Sequence, residues 1–110
     1  MTKFVEPYNP NWKSAFECLK QFIGTALSDL ALDIDIQHIG STSIPGLFSK
    51  PILDIDIIIE NKDLLPTIIF MLEKIGYKHK GDQGIPGRFA FRQTSVKCTH
   101  IISMFVILKV

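Results

Sequence analysis

The sequence is poor in the features that stabilise small secreted folds or bind metals through sulfur. It has two cysteines, Cys18 and Cys98, without C-x-x-C spacing, so we expect no disulfide and two buried thiols. It also lacks an excess of one charge, because 12 Lys and Arg residues oppose 11 Asp and Glu residues and leave a formal net charge of +1. That balance provides no general field to attract nucleic acid or an anionic membrane, so any anion site must be local.

Long apolar runs are absent as well. No segment approaches the length needed to span a bilayer, and the N-terminal residues MTKFVEPYNPNW contain no apolar signal core. We therefore expect a cytoplasmic protein with no membrane partner and no clear nucleic-acid partner. The length of 110 residues predicts a single domain, residues 1–110, that is large enough to bury a hydrophobic core.

The apolar spacing in the first half of the chain predicts a long helix followed by two strands. Asn9 and Pro10 form a helix-start signal, and apolar residues recur at steps of three and four from there to Leu30. Residues 34–39, IDIQHI, alternate as a strand does. Residues 51–60, PILDIDIIIE, are β-branched and almost continuously apolar, which is typical of a central strand buried on both faces.

The second half predicts one more helix and two more strands. Helical spacing in residues 61–76 ends at Gly76, a natural C-terminal cap. Residues 78–88 have the composition of a loop, and residues 88–93 and 96–105 have that of two strands. The order helix, strand, strand, helix, strand, strand indicates the α+β class, with a small mixed β-sheet and helices packed on it.

The end of the sequence is unusually apolar. Residues 103–110, SMFVILKV, contain only two polar side chains. A strand buries alternate side chains against one sheet face. Half of the side chains in this segment would therefore be exposed to solvent unless further structure packed on the other face. We expect a fold that lacks its C-terminal part, with this segment either disordered or packed against another chain, most simply in a homodimer.

Two aspartates interrupt the most apolar strand. Asp54 and Asp56 project to the same face, because strand side chains alternate. Carboxylates on one side of an apolar strand repel each other and lose hydration unless a cation compensates, and Mg²⁺ held by one or two carboxylates with substrate phosphates is such a cation. The alternative is that both aspartates pair with Lys50, Arg88 or Arg92, and the spacing alone does not decide between them.

A glycine and three hydroxyl residues precede that strand. Gly40 allows backbone to approach a ligand closely, and the amides and hydroxyls of Ser41, Thr42 and Ser43 are donors suited to phosphate oxygens. The G-x-x-x-x-G-K-[ST] spacing of a Walker loop is absent. Read alone, GSTS is also compatible with an ordinary turn.

The longer string HIGSTSIPGLFSKPILDI resembles the signature of the GrpB-like family of the nucleotidyltransferase superfamily. The resemblance extends to YNPNW near the N-terminus, to GY at residues 76–77 and to GIPGR.AF at residues 84–91, and so covers about nine tenths of the chain. In the superfamily, the Gly-Ser loop holds the terminal phosphates of a nucleoside triphosphate. The Asp-x-Asp pair binds metal ions that position the α-phosphate for attack by a hydroxyl.

The resemblance implies roles for four residues of this chain. Gly40 and Ser41 would bind phosphate, and Asp54 and Asp56 would be catalytic residues that hold Mg²⁺. The implied partners are a nucleoside triphosphate and an acceptor that the sequence does not specify. These roles agree with two-metal phosphoryl transfer, in which ions clamp the entering and leaving oxygens.

Further cations are candidates for the same phosphates. Arg88 and Arg92 share one face of their predicted strand, while Phe89 and Phe91 share the other, so two guanidinium groups would face a triphosphate. Lys50, close to the aspartates in sequence, would either neutralise them or meet a phosphate. A solvated basic edge is the alternative for both arginines.

The later part of the sequence departs from the superfamily pattern. Active members commonly supply a third carboxylate from a later strand, yet no Asp or Glu follows Asp82 here. His100, on the later predicted strand, is instead a candidate catalytic base or third metal ligand. The alternative is that His100 is a buried histidine of the core. His38, directly before the loop, is expected to hold the loop in shape by a hydrogen bond.

Two functions therefore remain open from the sequence. The first is an enzyme that moves a nucleoside monophosphate from a nucleoside triphosphate to an unknown acceptor with Mg²⁺. The second is a non-catalytic module of the same fold that binds a nucleotide or a protein. The intact Gly-Ser and Asp-x-Asp residues favour the first, and the missing third acid favours the second.

Overall fold

The computed structural model describes residues 5–28, 34–80, 87–93 and 101–109. Within these ranges the chain forms two α-helices and five strands: α1 Asn11–Ala26, β1 Ile34–Ile39, β2 Ile52–Ile59, α2 Leu65–Lys74, β3 Tyr77–His79, β4 Arg88–Gln93 and β5 Ile101–Leu108. Short 3-10 turns at Ser41–Ser43 and Lys62–Leu64 precede β2 and α2. The α+β class with a small mixed sheet, predicted from the sequence, is confirmed.

The five strands form one sheet in the order β1-β2-β5-β4-β3. Strands β2 and β5 are parallel, and the other neighbouring pairs are antiparallel. The register of the parallel pair places Asp54 opposite Ser103 and Asp56 opposite Phe105. Both aspartates therefore lie near the middle of the sheet, with a neighbouring strand on each side.

The C-terminal strand β5 is an ordered central strand of the sheet, so the expectation of a disordered segment is wrong, while its packing against another chain stays a prediction. It pairs with β2 along one edge over its whole length and with β4 along the other edge from Met104 to Ile107. Its alternate residues Ile102, Met104 and Val106 are buried in the core. The segment is apolar because it lies at the centre of the sheet. A homodimer through the C-terminal segment stays a prediction.

Both helices contribute to a core on one face of the sheet. From α1 the core takes Trp12, Phe16, Leu19 and Ile23, from α2 Ile68 and Leu72, and from β2 Leu53, Ile55, Ile57 and Ile59. The alternate residues of β2, including Asp54 and Asp56, are only half-buried. The composition of β2 had suggested burial on both faces, but the structure buries only one face of the strand. Its open face is the side on which polar groups can meet a ligand.

The helix ends follow the signals in the sequence, with one difference in length. The side chain of Asn9 accepts a hydrogen bond from the Asn11 backbone N–H at 2.9 Å, and helix α1 begins at Asn11 with Pro10 as its N-cap, one residue later than the predicted start. After α2, Gly76 adopts a φ of 102°, the left-handed conformation that a glycine cap supplies. Helix α1 ends at Ala26, before the predicted end at Leu30.

Three further predictions about local structure need correction or lie outside the described ranges. Residues 77–79 form the short strand β3 beside β4, although a loop had been predicted from residue 78. Cys18 is exposed on α1 and not buried, while Cys98 lies outside the described residues.

Strand β4 has its predicted bounds. No helix in the described ranges is long and apolar enough to cross a membrane.

Candidate functional site

The two aspartates of β2 lie in an environment that disfavours their charged forms. Burial raises the pKa of Asp54, against the effects of a hydrogen bond from Ser103 and of the nearby His38 ring. Burial also raises the pKa of Asp56, which the Arg88 charge opposes and the Asp54 charge reinforces. Both carboxylates would be ionised more easily beside an added cation, because an opposite charge favours the charged form.

Gly40 allows the loop to lie directly against one of these carboxylates. Its φ of 74° and ψ of −171° belong to a backbone region that is essentially restricted to glycine. A Cβ atom placed on Gly40 would collide with Asp54 Oδ2 and would lie 3.1 Å from Asp54 Cγ. The glycine predicted to permit a close backbone approach therefore makes that approach to the Asp54 side chain.

The residues after Gly40 form a tight 3-10 turn that is closed by its own hydrogen bonds. The Ser43 hydroxyl donates to the Gly40 carbonyl oxygen at 2.6 Å, and the Ser43 backbone N–H donates to the same oxygen at 3.1 Å. Ser41 is exposed and lines a pocket beside Asp54. Of the three loop hydroxyls, that of Ser41 is thus the one placed to meet a ligand.

The Thr42 hydroxyl, predicted to bind phosphate, is instead part of the structure beneath the loop. Thr42 is 1% exposed; its Oγ1 donates to the Ile52 carbonyl oxygen at 3.1 Å and lies 2.9 Å from His38 Nε2. Because the single hydroxyl proton goes to Ile52, we assign His38 Nε2 as the donor to Thr42. This contact fits the expectation that His38 holds the loop in shape, and it takes the Thr42 hydroxyl away from any ligand.

Helix α1 supports this arrangement through an aromatic stack that the sequence alone did not reveal. The Phe16 and His38 rings are stacked, with centroids 4.8 Å apart and an angle of 18° between their planes. Burial lowers the pKa of His38, although the charges of Asp54 and Glu17 act in the opposite direction. A neutral ring that is stacked on one side and donates from Nε2 has a structural role, which agrees with the expectation from its position.

An open pocket joins the loop to β2. It has a volume of about 350 Å³ and is lined by Val5, Ser41, Phe48, Ser49, Lys50, Ile52 and Asp54. Three of the predicted site residues, Ser41, Lys50 and Asp54, therefore share one pocket. Asp56 follows Asp54 on the same face of β2. The pocket thus combines a hydroxyl, an ammonium group and a carboxylate with an apolar wall.

Arg88 lies on the same open face of the sheet but next to Asp56. Its guanidinium carbon is 3.9 Å from the centroid of the Phe105 ring, a cation–π contact. Phe105 is the β5 neighbour of Asp56, and the Arg88 charge acts on the Asp56 carboxyl. Arg92 is exposed farther along β4. Arg88 is thus placed to counter charge at Asp56, and it is not among the residues that line the Ser41 pocket.

In the part of the chain that the structure describes, Asp54 and Asp56 are the carboxylate pair placed to hold a metal ion. Among the described residues, no group of three or more His, Cys, Asp or Glu side chains converges on one point. His100, predicted as a third ligand or base, lies outside the described ranges. On β5 the residue opposite Asp54 is Ser103, whose side chain hydrogen-bonds to that carboxyl. Two carboxylates suit Mg²⁺ that takes its other ligands from water and substrate phosphates.

A family model described as GrpB protein matches residues 3–108 of this sequence. The chain belongs to the GrpB family. Among curated members, it is 35% identical over 102 residues to the UPF0157 protein YqkA of Bacillus subtilis, covering 89% of this chain and 28% of that protein. It is 32% identical over 100 residues to the glutamate-rich protein GrpB of Alkalihalophilus pseudofirmus, covering 86% of this chain and 56% of that protein. This GrpB family member thus spans only part of the length of these relatives.

Solved structures relate the GrpB fold to nucleotidyltransferases. The crystal structure of the conserved protein GrpB from Enterococcus faecalis matches with a TM-score of 0.79 and 30% identity, over 96% of this chain and 61% of that one. The structure of Cid1 in complex with the UTP analogue UMPNPP matches with a TM-score of 0.65 and 9% identity, over 96% of this chain and 32% of that one. The second likeness, at such low identity, shows the fold alone, which is nucleotidyltransferase-like as predicted.

Proposed function

We propose that this GrpB domain binds a nucleoside triphosphate together with Mg²⁺ and transfers a nucleoside monophosphate to an acceptor hydroxyl or amine. The observation that carries the proposal is the shared pocket of Ser41, Lys50 and Asp54, with Asp56 on the same strand face. The nucleotidyltransferase-like fold supports the same reading. That Cid1 was solved with a UTP analogue supports a nucleotide as the ligand class.

The carboxylate pair is the reason to include Mg²⁺. Burial raises the pKa of both Asp54 and Asp56, so the ionised pair is held at a cost that a divalent cation would offset. Mg²⁺ binds readily to one or two carboxylates when substrate phosphates complete its coordination. Bound there, it would neutralise phosphate charge during transfer. We therefore expect weak metal binding alone and tighter binding in the presence of a nucleotide.

Different residues around the pocket would bind the phosphates and hold the cation. Ser41 and the ammonium group of Lys50 would bind phosphate oxygens, and Asp54 and Asp56 would hold the cation. Gly40 would keep the loop close enough to β2 for one triphosphate to touch both. In the transfer itself, the acceptor oxygen or nitrogen bonds to the α-phosphorus while the bond to pyrophosphate breaks, and the protein contributes mainly position and charge.

Binding without transfer is the second candidate, and a specific observation favours it. The position on β5 opposite Asp54 is occupied by Ser103, so a third carboxylate is missing from the place where the neighbouring strand would supply one. A module with two carboxylates would still bind Mg²⁺ with a nucleotide. The two candidates differ in whether pyrophosphate is released.

The test is nucleotide binding in the wild type and in the double variant Asp54→Asn with Asp56→Asn. Calorimetric titration with ATP, with and without Mg²⁺, should show Mg²⁺-dependent binding in the wild type and none of that dependence in the variant. Asp35→Asn, at an exposed position of strand β1, is the matched control and should behave as the wild type does. Equal titrations of the wild type and the double variant would contradict the metal site. Pyrophosphate release over a panel of acceptors separates the enzyme from the binding module.

A further inference from the structure

We infer that the apolar wall of the pocket, formed by Phe48 and Val5, is a stacking subsite for the base of the nucleotide. This inference rests on the proposed function, because it assigns the other end of the same ligand. The two residues line the pocket together with Ser41, Lys50 and Asp54. A ligand that fills the pocket therefore meets a polar end and an apolar end at once.

Two of the residues that line this pocket are exposed apolar side chains. Phe48 is 61% exposed and Val5 is 53% exposed. In the turn that leads to Phe48, Ile44 is 51% exposed and Leu47 is 42% exposed. Single exposed apolar residues need no explanation, but two exposed apolar side chains that line the same pocket as charged groups mark a surface suited to a partly apolar ligand.

A pair of backbone hydrogen bonds fixes the two segments that carry Val5 and Phe48 relative to each other. The Glu6 N–H donates to the Ser49 carbonyl oxygen at 2.8 Å, and the Ser49 N–H donates to the Glu6 carbonyl oxygen at 2.9 Å. Val5 precedes one partner of this bridge and Phe48 precedes the other. Ser49 is itself buried. The wall is therefore preorganised, so that a ring placed on it would lose little free energy to the ordering of the protein.

The chemistry of the pocket favours a nucleotide base over other apolar occupants. An apolar peptide or lipid chain would cover Phe48 and Val5 but would strip water from Asp54 and Lys50 without replacing it, which is costly. A free polyphosphate would satisfy the polar end and leave the phenyl ring in water. A nucleotide satisfies both ends, because its base has an apolar face and its phosphates are anionic.

The same subsite predicts little discrimination among bases. Stacking on an aromatic ring depends on the face of the base and is tolerant of sequence, whereas discrimination needs hydrogen bonds to the base edge. The side chain of Ser49, the polar neighbour of Phe48, already donates to the Lys50 carbonyl oxygen at 2.8 Å. We therefore expect ATP and GTP to bind with similar affinity, and both to bind more tightly than inorganic tripolyphosphate.

The experiment compares Mg²⁺-ATP with Mg²⁺-tripolyphosphate by calorimetric titration of the wild type and three variants. ATP should bind the wild type at least about fivefold more tightly than tripolyphosphate, the lower end of the range for a base stacked on an aromatic ring. Phe48→Ala should remove this preference and leave tripolyphosphate binding unchanged, while Phe48→Trp should retain it. Phe70→Ala, which removes an exposed phenylalanine from α2, is the matched control and should retain the preference as well.

The outcomes separate this inference from the proposed function. If ATP and tripolyphosphate bind the wild type equally well, the phosphate site stands and the base subsite is wrong. If Phe48→Ala weakens both ligands to the same degree, Phe48 supports the loop and does not stack with a base. If neither ligand binds the wild type, the proposed function fails and the subsite fails with it.

Discussion

Gly40 and Asp54 are packed so closely that a single methyl group on the glycine would occupy the place of a carboxylate oxygen. The contact joins the phosphate-loop candidate to the metal-ligand candidate without any intervening residue. Gly40 also has a φ of 74°, which an L-residue with a side chain rarely adopts. The conformation and the contact therefore select glycine for two independent reasons.

Gly40→Ala should therefore destabilise the protein and disturb the site. Backbone strain of this kind costs about 1–3 kcal/mol, and the clash with Asp54 adds to it. Chemical denaturation should show a loss of at least about 1 kcal/mol in the free energy of unfolding. Gly24→Ala is the control, because a Cβ atom there meets nothing within 4 Å and alanine favours a helix interior, so it should stabilise by about 0.5–1 kcal/mol. Equal effects at the two positions would contradict the packing described for Gly40.

The second prediction concerns the pH dependence of stability. Burial holds the pKa of Asp56 above its ordinary value of 3.8, so the folded protein binds the proton more tightly than the unfolded chain does. Stability from this group is fully present below the unfolded pKa and is lost as the pH rises through the folded pKa. Asp56→Asn, which carries no charge, should thus be more stable than the wild type at neutral pH, with the advantage shrinking in acid.

Because Asp56 is half-exposed, we expect a gain of only a few tenths of a kcal/mol to about 1 kcal/mol. Denaturation of both proteins at several values between about pH 4 and about pH 7 measures the difference. Asp35→Asn, at an exposed carboxylate, is the control that shows how the same substitution changes the free energy of unfolding at a solvent-exposed position. A gain that is constant across this range would show that ionisation is not its source.

The sequence predicted which residues face the candidate site better than it predicted the packing and hydrogen bonds beneath them. Strand alternation was enough to place Asp54 and Asp56 on one face, and the short loop was enough to bring Ser41 into one pocket with Asp54. The burial of Thr42 was not predictable, because the sequence does not say which loop hydroxyl turns inward. Nor does periodicity say which strands are neighbours, so the central place of β5, and with it the pairing of Ser103 with Asp54, required the structure.

That pairing leads to a third prediction, in which a carboxylate is added beside Asp54. Ser103→Asp would place a third acid on the strand next to the aspartate pair. Without metal it should destabilise the fold, because like charges then repel each other on a half-buried surface. With metal it should bind Mg²⁺ or Mn²⁺ about tenfold more tightly, because affinity for hard cations rises with the number of carboxylates.

Calorimetric titration of Mn²⁺ and Mg²⁺ into the wild type, Ser103→Asp and Ser103→Asn tests this. The asparagine variant has the same size as the aspartate variant and no added charge, so it should bind metal as weakly as the wild type. If the aspartate variant gains no affinity, the open face of β2 beside Asp54 does not hold the cation.

The last prediction tests the support beneath the loop through Thr42. Thr42→Val keeps the shape of the side chain and removes the hydroxyl, which leaves the Ile52 carbonyl oxygen and His38 Nε2 without this partner. An unsatisfied buried polar group costs about 1–3 kcal/mol, and denaturation should show a loss of this size. Thr42→Ser keeps the hydroxyl and loses one methyl group, so it should cost only about 1 kcal/mol. If valine and serine destabilise the protein equally, the loss comes from packing, and the hydrogen bonds through Thr42 do not hold the loop in place.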